Sequence, residues 1–277
     1  MLIARTVSDL RRNVKAGTHA FVPTMGNLHS GHLALIHDAR QRSDRVAVSI
    51  FVNRLQFAPH EDFDRYPRTL ERDCALLEAE GVDILFAPDE RILYPEPQVY
   101  VVEPPPVANE LEGKFRPRFF HGVATVVLKL FNCVQPSVAV FGKKDYQQLV
   151  VIRGMVSQLN LPIQIVGGEI VRETDGLALS SRNGYLSAAE RSEAPELCRR
   201  LREVAVHVAK ERTDLLGPCA HARHHLEIRG WQCDYVEVRR QGDLGLPESG
   251  DSKLVILAAA RLGATRLIDN LEVTAGA

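Results

Sequence analysis

Short apolar runs alternate with helical patterns along the first half of the chain. The run VAVSIF at 46–51 is almost continuously apolar, as expected for a strand buried on both faces. The predicted strands are 20–22, 46–51, 84–87, 138–141 and 163–166, and the predicted helices are 31–42, 69–79, 122–134 and 147–159. Strands that alternate with helices predict βαβ units and a parallel sheet.

The pattern changes after Asn183. Helical patterns at 188–210 and 214–229 precede predicted strands at 234–238, 254–259 and 266–268, with a glycine-containing loop at 242–251. We therefore predict an α/β fold in which a parallel-sheet domain, residues 1–170, is followed by a smaller α+β domain, residues 171–277. The stretch 94–107 contains five prolines and predicts a loop and edge strand, not a helix.

Composition narrows the possible partners. The chain has 277 residues, 45% hydrophobic and 25% charged, which is ordinary for a globular protein. A formal net charge of -1 argues against bulk affinity for nucleic acid or a membrane surface, so any phosphate site has to be local. No apolar run approaches the roughly 18 residues of a membrane span, and no signal peptide is recognised. The five cysteines form no C-x-x-C pair, which indicates reduced thiols and a cytoplasmic protein.

Two segments that follow predicted strands suit phosphate binding. PTMGNLHSGH at 23–32 opens a helix with an H-x-G-H pattern, where free backbone N–H groups and histidine donors favour a triphosphate. GKKDYQQ at 142–148 offers lysines, which bind phosphate as point charges. Both would face one crevice, because the carboxyl ends of parallel strands share an edge. Read alone, each has a plain alternative: a capping turn with two exposed histidines, and a solvated turn.

Two more segments carry polar groups. DGLALSSRN at 175–183 places two hydroxyls beside a guanidinium, which suits a mobile phosphate clamp, although a polar linker is the alternative. In SIFVNRLQF at 49–57, the amides of Asn53 and Gln56 leave a buried strand and can bind substrate hydroxyls and carboxylates. The alternative for these amides is an ordinary exit from strand to loop.

Together with RYPRTLERD and ARLGATRLIDN, these strings resemble the pantoate–β-alanine ligase (pantothenate synthetase) family along nearly the whole chain. That family belongs to the nucleotidyltransferase superfamily related to class I aminoacyl-tRNA synthetases. The resemblance implies a Rossmann-like catalytic domain with a C-terminal lid domain. It also implies an ATP-dependent ligase that condenses pantoate with β-alanine through pantoyl adenylate, releasing pyrophosphate and AMP. Magnesium would accompany ATP, and the enzyme would be a homodimer.

The resemblance also implies roles for individual residues. His32 would be the proton donor, and His29, Lys144 and Arg182 would act with it on the phosphates. Gln56 would contact pantoate and β-alanine, Gln148 would hold pantoate, and Asn53 would join the substrate site. The implied ATP-binding residues are Met25, Gly26, Asn27, Leu28, His29, Ser30, Gly31, His32, Gly142, Lys143, Lys144, Asp145, Val171, Leu179, Ser180, Ser181 and Arg182.

The chain departs from the family pattern at four positions. Arg54 replaces a usual proline, which puts the rigidity of the Gln56 loop in doubt. Lys143 replaces a usual glutamate, and we expect its side chain to point away from the phosphates. Arg118 and Phe119 occupy the usual glycine and histidine positions of a loop whose geometry is therefore in doubt.

Other interpretations remain open at this point. His221 and His225 have zinc-like spacing, with His224 beside them, but a solvated helix face is favoured. Asp62, Asp64 and Asp73 are possible supports for magnesium. Two alternatives to a ligase are also open. The chain could be a nucleotidyltransferase that moves AMP or CMP onto a phosphate ester, or a nucleotide-binding module without catalytic activity.

Overall fold

The computed structural model describes residues 1–59, 61, 63–211 and 214–275. The chain divides into two compact units. The first unit contains Met1–Lys143 and Val151–Glu169, and the second contains Lys144–Val150 and Ile170–Ala277.

The first unit is built on a six-stranded parallel sheet with the order β1-β4-β3-β2-β5-β6. Its strands are β1 (Leu2–Ala4), β2 (Ala20–Thr24), β3 (Val46–Ile50), β4 (Ile84–Phe86), β5 (Val138–Gly142) and β6 (Gln164–Gly168). Buried side chains from β2, β3 and β5 form its core together with Ile36 and Leu77 from two helices. Near-continuous apolar strands are typical of a sheet covered on both faces.

Helices connect these strands. They are α1 (Val7–Asn13), α2 (Ser30–Arg40), α3 (Leu70–Ala79), α4 (Glu90–Leu93), α5 (Glu112–Phe115), α6 (Phe119–Val134) and α7 (Tyr146–Gln158). Three short 3-10 helices lie at Arg54–Gln56, Pro106–Asn109 and Lys143–Asp145. Among the described residues, no helix has the length and apolar character that a membrane span needs.

The second unit combines helices with an antiparallel sheet of order β7-β8-β9. Its elements are a 3-10 helix (Ser181–Tyr185), α8 (Ala188–Glu193), α9 (Glu196–Lys210), α10 (Leu216–Ile228), β7 (Gln232–Arg240), β8 (Lys253–Leu262) and β9 (Thr265–Thr274). Helix α9 packs on β8 and β9, while α10 packs on β7. Trp231 and Leu201 are buried in the resulting core.

The predicted fold class is confirmed, with differences in detail. Strand β1 was not predicted; it is a short strand at the start of the chain that pairs in parallel with β4. The helical pattern at 188–210 breaks into two helices around Ala194 and Pro195, because proline cannot donate the backbone hydrogen bond of a helix interior. The final strand is longer than predicted. Residues 94–105, all of them described, form the expected loop but contain no edge strand, and residues 106 and 107 begin the 3-10 helix Pro106–Asn109, so the prediction of no helix was wrong at that end.

Candidate functional site

The middle of the parallel sheet opens at its carboxyl end. Strand β2 pairs with β3 along its whole length, Ala20–Thr24, but it pairs with β5 only at Ala20 and Phe21. Beyond Phe21, β2 and β5 therefore separate. The chain order also changes direction at this point of the sheet, which is where open α/β sheets bind ligands. The PTMGNLHSGH segment begins within the last residues of β2 at this opening.

The turn after β2 has a conformation that needs glycine. Gly26 has φ +82°, and a Cβ there would lie 3.0 Å from Cγ2 of Ile50 and 3.1 Å from Oδ2 of Asp73. Asn27 follows with φ 51°, also in the left-handed region. Two successive residues with positive φ turn the backbone sharply from β2 toward α2, since other residues adopt this region far less readily.

Asp73 holds this turn in place. Its carboxylate is fully buried and accepts hydrogen bonds from the backbone N–H groups of Asn27 (2.8 Å) and Leu28 (2.9 Å). The hydroxyl of Thr69 donates to both of its oxygens, each at 3.1 Å. Arg72 donates to the side chain of Asn27 and to the carbonyl of Leu28. The sequence does not reveal this role, because Asp73 lies 46 residues from Asn27 and its carboxylate by itself indicates only a possible magnesium support.

His29 and His32 form the start of α2. His29 is the N-cap, and its Nδ1 accepts from the N–H of Gly31 (3.2 Å), while Nδ1 of His32 accepts from the N–H of His29 (3.3 Å). The two ring centroids are 4.1 Å apart. An imidazole nitrogen that accepts a hydrogen bond carries no proton, so each ring holds its proton on Nε2. Both histidines thus have Nε2–H donors at a helix N-terminus.

Gln56 lies next to the same turn. It ends the 3-10 helix Arg54–Gln56 after β3, and its Nε2 is 3.1 Å from Sδ of Met25. The guanidinium of Arg54 lies 3.9 Å from the ring centre of Phe63 and pairs with Glu90, so the side chain that replaces the usual proline is itself anchored. The structure thus brings the histidine segment and the Gln56 segment together within one unit.

The loop departure at Arg118 also has a structural explanation. Arg118 is the N-cap of α6 with φ 65°, the region that glycine adopts most readily. The nearby Arg116 forms a two-point ion pair with Glu61 (2.7 and 2.8 Å) and donates to the carbonyl of Gln56 (3.2 Å). Its guanidinium also lies 3.7 Å from the ring centre of Phe119. Arg116 therefore fastens the Gln56 loop, a contact that sequence analysis misses.

Gly142 is the last residue of β5 and Lys143 follows it, both in the first unit. Lys143 forms an ion pair of 2.5 Å with Glu169, so the added positive charge has a carboxylate partner. Lys144, Asp145 and Gln148 belong to the second unit. Within that unit, the side chain of Asn270 donates to the carbonyl of Lys144 (2.9 Å), which fixes the backbone of the GKKD turn. Lys144 and Gln148 are half-buried, and Asp145 is exposed.

The DGLALSSRN segment is the end of a tight hairpin in the second unit. The N–H of Leu179 donates to the carbonyl of Val171 (3.0 Å), and Arg172 bridges to Ala178. Ser180 then caps the 3-10 helix that contains Ser181 and Arg182, with its hydroxyl accepting from the N–H of Arg182. The hairpin thus delivers the two serines and the arginine in one half-buried turn.

Arg172 anchors this hairpin, although no pattern in the neighbouring sequence predicts that role. It donates to both carboxylate oxygens of buried Asp269 (2.7 and 2.8 Å) and to the carbonyl of Gly176 (3.0 Å). At the hairpin tip, the hydrogen bond from Arg191 holds the pKa of the Asp175 carboxyl below its usual value. A two-point arginine–carboxylate pair is geometrically specific, which suits a role in fixing a turn.

Two metal interpretations receive no support from the described residues. His221 and His224 are exposed on α10, and Nε2 of His225 lies 3.1 Å from a carboxylate oxygen of Glu196. Asp73 is already committed to backbone N–H groups, and Asp64 is exposed, while Asp62 lies outside the described residues. No group of three or more His, Cys, Asp or Glu suited to a metal ion occurs within the described part of the chain. All five cysteines are unpaired thiols.

Comparison with known proteins gives consistent matches over nearly the full chain. The family model described as Pantoate-beta-alanine ligase matches residues 2–272. Pantothenate synthetase of Neisseria meningitidis serogroup A is 60% identical over 99% of both chains. The crystal structure of pantothenate synthetase from Thermus thermophilus has a TM-score of 0.92 at 44% identity, covering 99% of this chain and 100% of the other. The pantoate-beta-alanine ligase of Francisella tularensis, complexed with beta-gamma ATP and β-alanine, has a TM-score of 0.82 at 34% identity, covering 98% and 97%.

Proposed function

The chain belongs to the pantoate-beta-alanine ligase family, and we infer that it joins pantoate to β-alanine with cleavage of ATP to make pantothenate. The carboxylate of pantoate attacks the α-phosphorus of ATP, which forms pantoyl adenylate and expels pyrophosphate. The amine of β-alanine then attacks the acyl carbon, loses a proton and expels AMP. A free carboxylate is a poor electrophile, and AMP supplies the leaving group that the second step needs.

The observation that carries the phosphate assignment is the pair of histidines at the start of α2. Both Nδ1 atoms accept backbone N–H groups, so both Nε2 atoms are donors beside a helix N-terminus. We propose that His32 donates to the phosphate oxygens as pyrophosphate leaves and that His29 shares this role. Donors held in place before the reaction lower the barrier, because they need no rearrangement as charge develops. Met25 to His32 would hold the nucleotide.

The other roles are proposed from matching positions and from local geometry. Lys144 and the Ser180–Arg182 turn would neutralise phosphate charge, with Gly142, Lys143, Asp145, Val171 and Leu179 completing the nucleotide contacts. Gln56 would bind pantoate and β-alanine, Gln148 would bind pantoate, and buried Asn53 would join the substrate site through its hydrogen bond to Gln56. The anchored backbone within each unit, at Asp73 in the first and Arg172 in the second, supports these assignments because it keeps the donors in fixed positions.

Magnesium fits the reaction as a partner of ATP. The described residues include no cluster of carboxylates for a protein cage, and Mg²⁺ is commonly bound through substrate phosphates and water with few protein ligands. Bound in that way, the ion would reduce the charge on the phosphates. We also propose, from the family, that the enzyme is a cytoplasmic homodimer and that residues 171–277 act as a lid that keeps water from the adenylate.

Pyrophosphate–ATP exchange with the purified protein tests the reaction. Radiolabelled pyrophosphate should enter ATP when pantoate is present and should not require β-alanine. Absence of exchange with and without pantoate would overturn the adenylation step. Formation of a dinucleotide pyrophosphate from a phosphate ester would instead favour a nucleotidyltransferase, and ATP binding without turnover would favour a binding module. For a histidine variant such as His32→Ala in this assay, His37→Gln is a suitable control. His37 lies later on α2, pairs with Glu80 and has no proposed role in the reaction, so the exchange rate should be unchanged.

A further inference from the structure

A chain of three polar side chains connects the loop after α4 to Gln56. The hydroxyl of Tyr94 donates to Oδ1 of Asn53 (2.9 Å). Nδ2 of Asn53 donates to the carbonyl of Gly122 (3.1 Å) and to Oε1 of Gln56 (3.0 Å). All of these residues lie in the first unit, and Asn53 is 1% exposed.

These bonds fix which atom of each amide faces which neighbour. The carbonyl of Gly122 can only accept, so the atom of Asn53 that faces it has to be the nitrogen. Oδ1 of Asn53 then faces Tyr94, whose hydroxyl has to donate. The second hydrogen on Nδ2 of Asn53 meets Oε1 of Gln56, which leaves Nε2 of Gln56 as the atom next to Met25. Gln56 therefore presents an N–H donor, not a carbonyl oxygen, beside the turn after β2.

The surroundings of Tyr94 keep its hydroxyl in this role. Its ring contacts that of Phe51 (5.9 Å between centroids), and the ammonium of Lys129 lies 4.7 Å from the ring centre. Burial, with a smaller effect from Glu90, raises the pKa of Tyr94 well above its ordinary value, so the phenol keeps its proton at neutral pH. A protonated hydroxyl held by ring packing is a lasting donor.

We propose that Tyr94 is a positioning residue that acts through Asn53 to hold the Gln56 amide with its N–H groups toward the acidic substrate. The inference rests on the proposed role of Gln56 in binding pantoate. Pantoate offers carboxylate and hydroxyl oxygens, and its carboxylate can only accept. A Gln56 side-chain amide that could rotate by 180° would present its carbonyl oxygen to those oxygens part of the time. The affinity for pantoate would then be lower before any chemistry occurs.

Tyr94→Phe isolates the hydroxyl, since phenylalanine keeps the ring contacts. In pantoate-dependent exchange at saturating ATP, KM for pantoate should rise about 3- to 10-fold, the factor expected for one neutral hydrogen bond, with kcat and KM for ATP within about 2-fold. Tyr100→Phe is the matched control, because Tyr100 is 87% exposed, and it should leave pantoate KM unchanged. Equal pantoate KM values in the two variants would overturn the proposal.

A double-mutant cycle separates positioning from general packing. Gln56→Ala should raise pantoate KM by itself, and adding Tyr94→Phe should then have little further effect, because the amide it orients is gone. Fully additive effects would refute action through Gln56. If Gln56→Ala leaves pantoate KM unchanged, the proposed role of Gln56 fails and the role of Tyr94 fails with it. If only Tyr94→Phe lacks an effect, the role of Gln56 stands and this inference alone is wrong.

Discussion

Replacing Asp73 by asparagine should damage both stability and adenylation. The buried carboxylate accepts from two backbone N–H groups of the turn, at Asn27 and Leu28, and from Thr69. Asparagine has nearly the same shape but keeps only one carbonyl oxygen. Its NH₂ group would face one of the backbone N–H groups, so one bond is lost and two buried donors oppose each other.

The size of the effect follows from these contacts. A hydrogen bond to a charged group contributes about 1.5–3 kcal/mol, and an unsatisfied buried donor costs about 1–3 kcal/mol. Allowing for partial rearrangement of the turn, we expect Asp73→Asn to lower the free energy of unfolding by about 2–4 kcal/mol. Because His29 and His32 follow the turn directly, the exchange rate at saturating substrates should fall at least about 10-fold as their alignment loosens.

Urea unfolding and pyrophosphate exchange measure the two effects on the same samples. Glu71→Gln is the matched control, since Glu71 lies in the same first turn of α3 but is exposed. It removes the same charge without touching the turn and should change stability by less than about 0.5 kcal/mol. Similar stabilities for the two variants would refute the anchoring role. A destabilised Asp73→Asn protein with normal exchange would show that the anchor matters for folding but not for the histidines.

Three further predictions test other parts of the structure. His32→Ala should slow exchange by about 10²–10³-fold, as for loss of one preorganised donor, with the circular dichroism spectrum unchanged; an unaltered single-turnover rate would contradict its role. Gly122→Ala would place a Cβ 2.2 Å from the carbonyl oxygen of Leu55, so we expect the free energy of unfolding to fall by about 1–3 kcal/mol and pantoate binding to weaken. Gly154→Ala, where a Cβ meets open space, should not destabilise, and equal losses in the two alanine variants would rule out the close approach. Burial lowers the pKa of His19 below its ordinary 6.5, so the native state binds fewer protons than the unfolded state. Stability should therefore fall as pH drops below about 6.5, by at most about 1.4 kcal/mol per pH unit from this group, and His19→Gln should show a shallower decline; identical slopes would exclude His19 as the cause.

The departures from the family pattern at Arg54 and Arg118 show which structural effects can be predicted from neighbouring residues in the sequence. A proline replaced by Arg54 suggested a looser loop, but that arginine packs on Phe63 and pairs with Glu90, and Arg116 holds the carbonyl of Gln56. The concern about Arg118 was better founded, since it occupies a left-handed conformation that glycine favours. The difference arises because a φ requirement is local, whereas anchoring depends on residues far along the chain.

Periodicity alone was enough for most of the fold. Apolar runs of three to six residues separated by helical patterns specify buried parallel strands, because only covered sheets place apolar side chains on both faces. The short β1 was missed, because its pairing with β4 rather than its own pattern is what makes it a strand. The candidate phosphate segments were also located after strands from sequence, since glycine and histidine positions after a strand are a local pattern; that they bind phosphate stays a prediction.

The contacts that give those segments their shape were decided only by tertiary structure. Asp73 lies 46 residues from Asn27, and Tyr94 lies 41 residues from Asn53. A carboxylate or a phenol at such a distance has no local signature, because its hydrogen bonds depend on which backbone atoms the fold brings within about 3 Å of it. The sequence by itself determined which chemical groups the chain has and which family it resembles. The packed sheet and its loops determined which nitrogen of each histidine carries the proton and which end of the Gln56 amide lies beside Met25.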